Sequence, residues 1–201
     1  MTVAPLALAV SYATLVVMGM MTQSFKYIVT AFVLTVGISL PADAATLDEL
    51  FDQLATADAD AHDRVEEQIV AEWEKSGSAS LDLLLRRGQD ALSVGDFEAA
   101  LEHFSALVDH DPSFAEAYNG RATAYYQLDL IGPALDDLRA CLVLNPRHFD
   151  AMRGVGVILE DLGRSKDALE VYEAVAKINP LSTGVKEAID RLELEFEGQA
   201  L

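Results

Sequence analysis

Apolar residues along most of the chain recur at the three- and four-residue spacing that is typical of amphipathic helices. The pattern is clearest from residue 81 to residue 182, where such segments alternate with short breaks that contain Gly or Asp. Three prolines, Pro112, Pro146 and Pro180, follow every second segment, and 34 residues separate each from the next. Because proline stops a helix, this spacing predicts three helical hairpins of equal length, at 81–114, 115–148 and 149–182.

The three blocks also agree with one another position by position. Position eight is small and position twenty is alanine in every block, whereas position twenty-four is large and apolar. Small residues let two helices cross closely, because a bulky side chain would push the backbones apart. The columns therefore predict one packing arrangement that is used three times. Their residues are Gly88, Ala122 and Gly156; Ala100, Ala134 and Ala168; and Phe104, Leu138 and Tyr172.

This period and these columns resemble the tetratricopeptide repeat, a helical hairpin of 34 residues. The stretch AEAYNGRATAYYQLDLIGPALDDLRACLVLNPRH, residues 115–148, is similar to that repeat over its full length. The resemblance implies an all-α fold, a right-handed α-α superhelical solenoid of three hairpins whose first helices line a concave groove. One column departs from the family pattern, since position seven is usually leucine but is Arg87, Arg121 and Val155 here. That departure concerns local packing and not the fold.

The segments on either side of the repeats predict further helices. Residues 45–80 predict a helical hairpin that opens with a Thr46-x-x-Glu49 capping box, and we interpret it as a divergent N-terminal cap. Its second helix is expected to run from about Ala61 to Lys75. Residues 183–201 predict one amphipathic helix, which would cover the last apolar face of the solenoid as capping helices of the family do.

The first 44 residues have the pattern of a targeting segment. From Met21 onward the chain has a short stretch that carries Lys26, an apolar run over 27–40, and an Ala-x-Ala site that ends at Ala44. These three parts predict a secretory signal peptide with its true start near Met21 and cleavage after Ala44. Cleavage would deliver the protein to the periplasm.

An alternative is that Met1 is the true start and that residues 3–21 span a membrane as an anchor, because their length would suffice. A membrane location is expected only in that case. A lipid anchor is not expected, because bacterial lipoproteins need a cysteine just after the apolar run, and the single cysteine is Cys141. With its leader included, the chain also resembles small periplasmic tetratricopeptide proteins of Gram-negative bacteria.

Charge and motif content exclude several classes of function. The formal net charge is −19, and such a surface repels phosphate backbones and anionic lipid, so we expect no nucleic acid partner. The four histidines show no metal-ligand spacing; we expect His103 to be solvated and Cys141 to be a buried small hydrophobe. Because no catalytic motif is present, the sequence predicts a protein without enzymatic activity, metal or cofactor.

The resemblance places a binding site, if there is one, in the concave groove. The groove-facing positions of the family are chiefly two, five, nine, twelve and thirteen of each repeat. Carried over to this chain, they give the candidates for holding a peptide. For Arg153 the alternative is that it only neutralises Asp150, three residues earlier on the same helix. The candidate groove residues are Asn119, Thr123, Tyr126, Arg153 and Val157.

Two functions from different classes are therefore expected. The first is a non-catalytic periplasmic interaction module that binds a peptide or protein segment of unknown identity in its groove. The second is a structural or assembly protein that self-associates, or joins a complex of the cell envelope, through its caps.

Overall fold

The computed structural model describes residues 45–199, and every regular element in that range is an α-helix. None of these helices is both long enough and apolar enough to cross a lipid bilayer. The predicted leader and its cleavage site lie outside the described residues. The helices are α1 (Leu47–Thr56), α2 (Ala59–Trp73), α3 (Ala79–Ser93), α4 (Phe97–His110), α5 (Ala115–Gln127), α6 (Ile131–Leu144), α7 (Phe149–Asp161), α8 (Ser165–Ile178) and α9 (Val185–Gln199).

Helices α3 to α8 form three successive hairpins, α3–α4, α5–α6 and α7–α8. Each of these helices packs on the helix that follows it in the chain, and α9 packs on α8. Hairpins that contact only their neighbours make a solenoid, and stacking buries the apolar faces that a single hairpin would leave open. The all-α solenoid of three hairpins that the sequence predicts is therefore confirmed.

The close helix crossings fall where the small-residue columns predict them. Added to Gly88, a Cβ would lie 2.7 Å from the ring of Phe104, and added to Gly156 it would lie 2.6 Å from the ring of Tyr172. The second repeat has the larger Ala122 at this position and a leucine, not an aromatic ring, opposite it. A bigger residue on one helix is thus matched by a smaller one on the other. The three alanines of position twenty are fully buried: Ala100, Ala134 and Ala168.

The turn between the two helices of each repeat uses a left-handed residue. Gly95 and Gly163 have φ angles of +77° and +69°, and Asp129 has a φ of +60°. Glycine adopts this conformation without strain, and aspartate is among the few other residues that adopt it readily. The Gly or Asp that recurs at position fifteen therefore has a backbone reason.

The arginine at position seven of the second repeat takes part in an ion pair inside the repeat. Arg121 Nε and Nη2 donate to the two carboxylate oxygens of Asp137 on α6, at 2.6 and 2.8 Å. The guanidinium carbon also lies 5.6 and 5.9 Å from the ring centres of Tyr118 and Tyr125. The third repeat has valine at both positions of this pair. An ion pair in one repeat therefore replaces an apolar contact in another.

The α1–α2 hairpin packs against the third repeat. The sequence predicts that it is an N-terminal cap, and no residue of the hairpin belongs to the first repeat's apolar cluster. Its apolar face instead shares one cluster with α7, α8 and α9. The hairpin contributes Leu50, Phe51, Leu54, Val65 and Ile69, and the other elements contribute Phe149, Leu159, Ala168, Tyr172, Val175, Val185, Ala188 and Leu192.

Three contacts fix the hairpin there. The ring of Trp73 stacks on His148, with 4.3 Å between the ring centres. The Nε2 of His62 donates to Oδ1 of Asn179, 117 residues away, at 2.5 Å. The Nη2 of Arg147 donates to Oδ1 of Asp48 at 2.5 Å. Each contact joins the hairpin to a loop just before or just after the two helices of the third repeat, so the hairpin follows one edge of the solenoid.

Side-chain caps set the start of both hairpin helices. The predicted capping box is present, because Thr46 Oγ1 accepts from the backbone of Glu49 and the Glu49 carboxylate accepts from the backbone of Thr46. Helix α2 begins at Ala59, two residues before the expected start. Asp58 causes the shift, since its Oδ1 accepts a hydrogen bond from the backbone N–H of Ala61 at 2.9 Å.

Candidate functional site

A pocket of about 480 Å³ opens between α5 and α7, on the side of the solenoid formed by the first helix of each repeat. We call it the α5–α7 pocket. Two neighbouring repeats supply its walls, and residues 30 to 40 positions apart in the chain face one another across it. All five candidate groove residues line it: Asn119, Thr123 and Tyr126 from α5, and Arg153 and Val157 from α7. That they bind a partner stays a prediction.

The floor of the α5–α7 pocket is apolar. It consists of Ala122, Leu138, Gly154 and Ile158. A Cβ added to Gly154 would contact both methyl carbons of Leu138 at 3.4 Å and would occupy part of the pocket, so glycine leaves that space open. The groove positions of the family did not include Leu138 or Ile158; in the sequence they are only apolar residues at core spacing. Their packing role could be predicted, but their position at the base of a pocket could not.

Arg153 is held by its own helix. Its Nη2 donates to Oδ1 of Asp150 at 2.7 Å, which is the pairing that the sequence left as an alternative. Burial raises the pKa of Asp150, an effect that the guanidinium of Arg153 opposes. The cation of the pocket is therefore already paired with a carboxylate, and a partner's carboxylate would have to compete with Asp150 for it.

A second carboxylate, Glu116, is held at the start of α5. It accepts from Asn119 Nδ2 at 3.3 Å and lies 3.2 Å from His148 Nε2. The Nδ1 of His148 accepts from the backbone N–H of Ala151, so in the neutral ring the proton is on Nε2 and is donated to Glu116. Asn119 is thus turned toward its own helix. The network continues through His148 to the stacked Trp73 of the α1–α2 hairpin.

Tyr126 bridges the two walls at the other end of the pocket. Its hydroxyl donates to Oδ2 of Asp161 on α7 at 2.7 Å, and this hydrogen bond raises the pKa of Tyr126 above its ordinary value. Thr123 is exposed, and its hydroxyl donates to the backbone oxygen of Asn119 on the same helix at 3.1 Å. Val157 faces it from α7 and is also exposed. The middle of the pocket is therefore open between one short polar and one short apolar side chain.

No histidine and no cysteine is among the described residues that line this pocket. His62 and His148 are buried, which the sequence analysis did not anticipate, whereas His103 is partly exposed. Cys141 is buried as expected, and that burial raises the pKa of its thiol strongly. Among residues 45–199, no group of three or more His, Cys, Asp and Glu side chains is arranged to hold a metal ion.

Comparison with known sequences agrees with the fold. The family model described as tetratricopeptide repeat matches residues 85–132 and 133–183. A repeat-containing protein of this type from Rhizobium etli is 30% identical over 153 residues, which cover 76% of this chain and 75% of that protein. The chain therefore belongs to the tetratricopeptide repeat family. It is also 32% identical over 124 residues to the DnaJ homolog subfamily C member 3 of Rattus norvegicus, but these residues span only 25% of that relative.

Solved structures of the family resemble this one in fold. The first tetratricopeptide domain of Spaghetti (RPAP3), bound to the HSP90 peptide SRMEEVD, has a TM-score of 0.55 and 20% identity. That match covers 58% of this chain and 93% of the domain. The crystal structure of the MamA protein has a TM-score of 0.53 and 24% identity, and covers 77% of this chain and 81% of its own. At these identities the likeness concerns the fold alone.

Proposed function

We propose that this protein is a non-catalytic interaction module that holds a peptide or protein segment in the α5–α7 pocket. The observation that carries the proposal is the pocket itself, in which polar side chains from two repeats surround an apolar floor. An extended or helical segment can be held by that combination, because the floor buries its side chains while the rim bonds its backbone. A fold of the same kind holds the HSP90 peptide in the Spaghetti (RPAP3) domain.

We further propose that the protein acts in the periplasm after removal of residues 1–44. The support is the three-part pattern of the leader, with its basic residue, its short apolar run and its Ala-x-Ala site. N-terminal sequencing of the natively expressed protein tests this, and we expect Ala45 as the first residue. An intact Met1, or a protein that stays in the membrane fraction, would contradict export.

Affinity capture from a native envelope extract tests the binding function. The full chain is compared with a variant in which Asn119 and Arg153 are both replaced by alanine. We expect the captured protein to be lost from the variant while its thermal unfolding midpoint changes little, since both side chains bond mainly within their own helices. A matched control replaces Lys186 and Asp190, an exposed pair on α9, with alanine. Equal capture by all three proteins would place the partner elsewhere.

A second function, self-association, is favoured by one specific observation on the opposite side of the solenoid. A cavity of about 430 Å³ there is lined mainly by apolar residues of α6 and α7, and Val143 at its rim is 75% exposed. Exposed apolar surface of this kind is typical of contacts between proteins. Sedimentation analysis of the full chain and of Val143→Glu tests it. A monomer at all concentrations would exclude it, and a dimer that the substitution dissociates would support it.

A further inference from the structure

The α5–α7 pocket has the shape of a site for a long side chain with a charged end. Its floor is apolar, with Leu138 and Ile158 at the base, and its polar groups lie at the rim. Lysine and arginine side chains have this build, because an alkyl stem packs on apolar surface while the cationic head stays near water. An aspartate or glutamate side chain would be too short to fill such a floor and would bring a second negative charge to the rim.

The charges around the pocket favour a cation. Arg153 is the one basic residue among the described residues that line it, and Asp150 neutralises it. Asp161, beside the pocket, is bonded to the neutral hydroxyl of Tyr126. A neutral donor leaves the negative charge of a carboxylate in place. The rim is therefore negative.

A further carboxylate that is bonded to a neutral group lies beside the first helix of the first repeat. There the Nε2 of Gln89 donates to Oε1 of Glu74, at the end of α2, at 2.6 Å, so this carboxylate too is bonded to a neutral group. The chain as a whole has a net charge of −19. A groove lined by one sign of charge raises the local concentration of oppositely charged partners and speeds their association.

We propose that the α5–α7 pocket binds a basic peptide segment, whose lysine or arginine side chain lies on the apolar floor with its charged end at Asp161. This inference rests on the proposed function, since it names the chemistry of the partner in the same pocket. Asp161 is an exposed carboxylate beside the pocket, bonded to Tyr126, which lines it, and it can pair with a cation without losing that bond. Segments rich in aspartate or glutamate are excluded by the same charges.

A random twelve-residue peptide library, selected on the immobilised full chain, tests both the proposed peptide binding and the basic character of the partner. The counter-selection uses Thr123→Trp and, from the opposite wall, Val157→Trp, each of which fills the pocket from an exposed position. A thermal unfolding midpoint equal to that of the wild type shows that a blocked variant is folded. We expect peptides enriched in lysine or arginine that bind the wild type and neither blocked variant.

The possible outcomes distinguish a failure of the basic partner from a failure of the proposed function. Acidic or uncharged peptides that bind the wild type and are lost from the blocked variants would overturn the basic partner but keep the proposed function. Peptides that bind the blocked variants as well as the wild type, or a selection that yields none, would overturn both.

Substitutions that each remove one negative charge then test where the basic side chain of the peptide binds. The best basic peptide, carrying a fluorescent label, is titrated against Asp161→Asn and against Asp109→Asn, which removes the same charge from the outer helix α4. We expect about a two- to five-fold loss of affinity for Asp161→Asn, as for an exposed charge pair, and little change for Asp109→Asn. Equal losses would mean that net charge alone attracts the peptide, and would overturn the assignment of Asp161.

Discussion

The two ends of the solenoid are built differently. At the third repeat, the α1–α2 hairpin and α9 both pack on the repeat, and one apolar cluster joins all three. At the first repeat, the apolar cluster draws only on α3, α4, α5 and the loop before α5, and Leu83 and Val94 are 43% and 78% exposed. The segment that precedes the first repeat in the chain therefore stabilises the last repeat in space.

The α5–α7 pocket lies near the more extensively packed end of the solenoid. The pocket lies between the second and third repeats, next to the end that is covered on more sides. A site on a well-packed end is held in its binding geometry before a partner arrives, which lowers the entropy that binding costs. Substitutions at the two ends should therefore differ in their effect on the free energy of unfolding.

Replacing Trp73 with alanine should have the largest effect. The indole ring stacks on His148 and lies 4.8 Å from the ring of Phe149, so its loss opens the join between hairpin and repeat. We expect a loss of about 3 kcal/mol in the free energy of unfolding, measured by denaturant titration. Phe97→Ala, which removes a likewise partly buried aromatic ring from the first repeat, is the control and should cost less. Equal losses would mean that the hairpin adds no special stability.

The buried alanine of position twenty provides a matched pair. Ala168→Leu and Ala100→Leu both overpack a fully buried helix crossing, and each should cost about 1–3 kcal/mol. The two should differ in where hydrogen exchange becomes faster. Ala168→Leu should expose amides of the α1–α2 hairpin as well as those of the third repeat, whereas Ala100→Leu should leave the hairpin protected. The same hydrogen-exchange pattern in both variants would contradict the conclusion that the α1–α2 hairpin depends on the third repeat more than on the first.

His62→Phe tests a single buried hydrogen bond. The substitution keeps a ring but leaves the Oδ1 of Asn179 without its donor in a fully buried place. We expect a cost of about 1–3 kcal/mol in thermal or denaturant unfolding. The matched control is His103→Phe on α4, where the side chain is partly exposed and the change should be smaller. A neutral result for His62→Phe would show that the hairpin is held by its apolar face alone.

Arg147→Ala should have the smallest effect. The guanidinium pairs with Asp48 and lies 4.1 Å from the ring centre of Phe51, but it is partly exposed, so we expect a loss of about 0.5–1 kcal/mol. Arg139→Ala removes a similar charge whose partner is on the same helix, and it should change stability less. A larger loss for Arg139→Ala would contradict the special position of Arg147.

The solenoid could be predicted from the sequence because its signals are local. Helical spacing, the Gly or Asp at each turn and the paired small and large columns all act within one repeat of 34 residues. The docking of the α1–α2 hairpin could not be predicted in this way. It depends on contacts such as that of His62 with Asn179, and a periodic pattern does not say which distant surface an apolar stripe will meet.

The candidate site was predictable in part for the same reason. The walls of the pocket follow from the positions of the repeat, so Asn119 and Arg153 are where the family pattern puts them. Their hydrogen-bond partners could not be predicted. Arg153 can reach both a carboxylate on its own helix and the pocket, and only the geometry shows which of the two it contacts. The floor was missed because Leu138 is equally suited to a sealed core and to the base of a pocket.

The contact between His62 and Asn179 also has a consequence for the order in which the chain acquires its structure. The hairpin is synthesised before the repeats, but its partner Asn179 and the last members of its apolar cluster, up to Leu192, are made only near the end of the chain. Until then its apolar stripe, with Leu50 and Leu54, has nothing to pack against and is exposed to other chains. Repeats with local contacts can form early, whereas closure of this long loop comes late. A nascent chain therefore needs protection of its first helices longer than of its repeats.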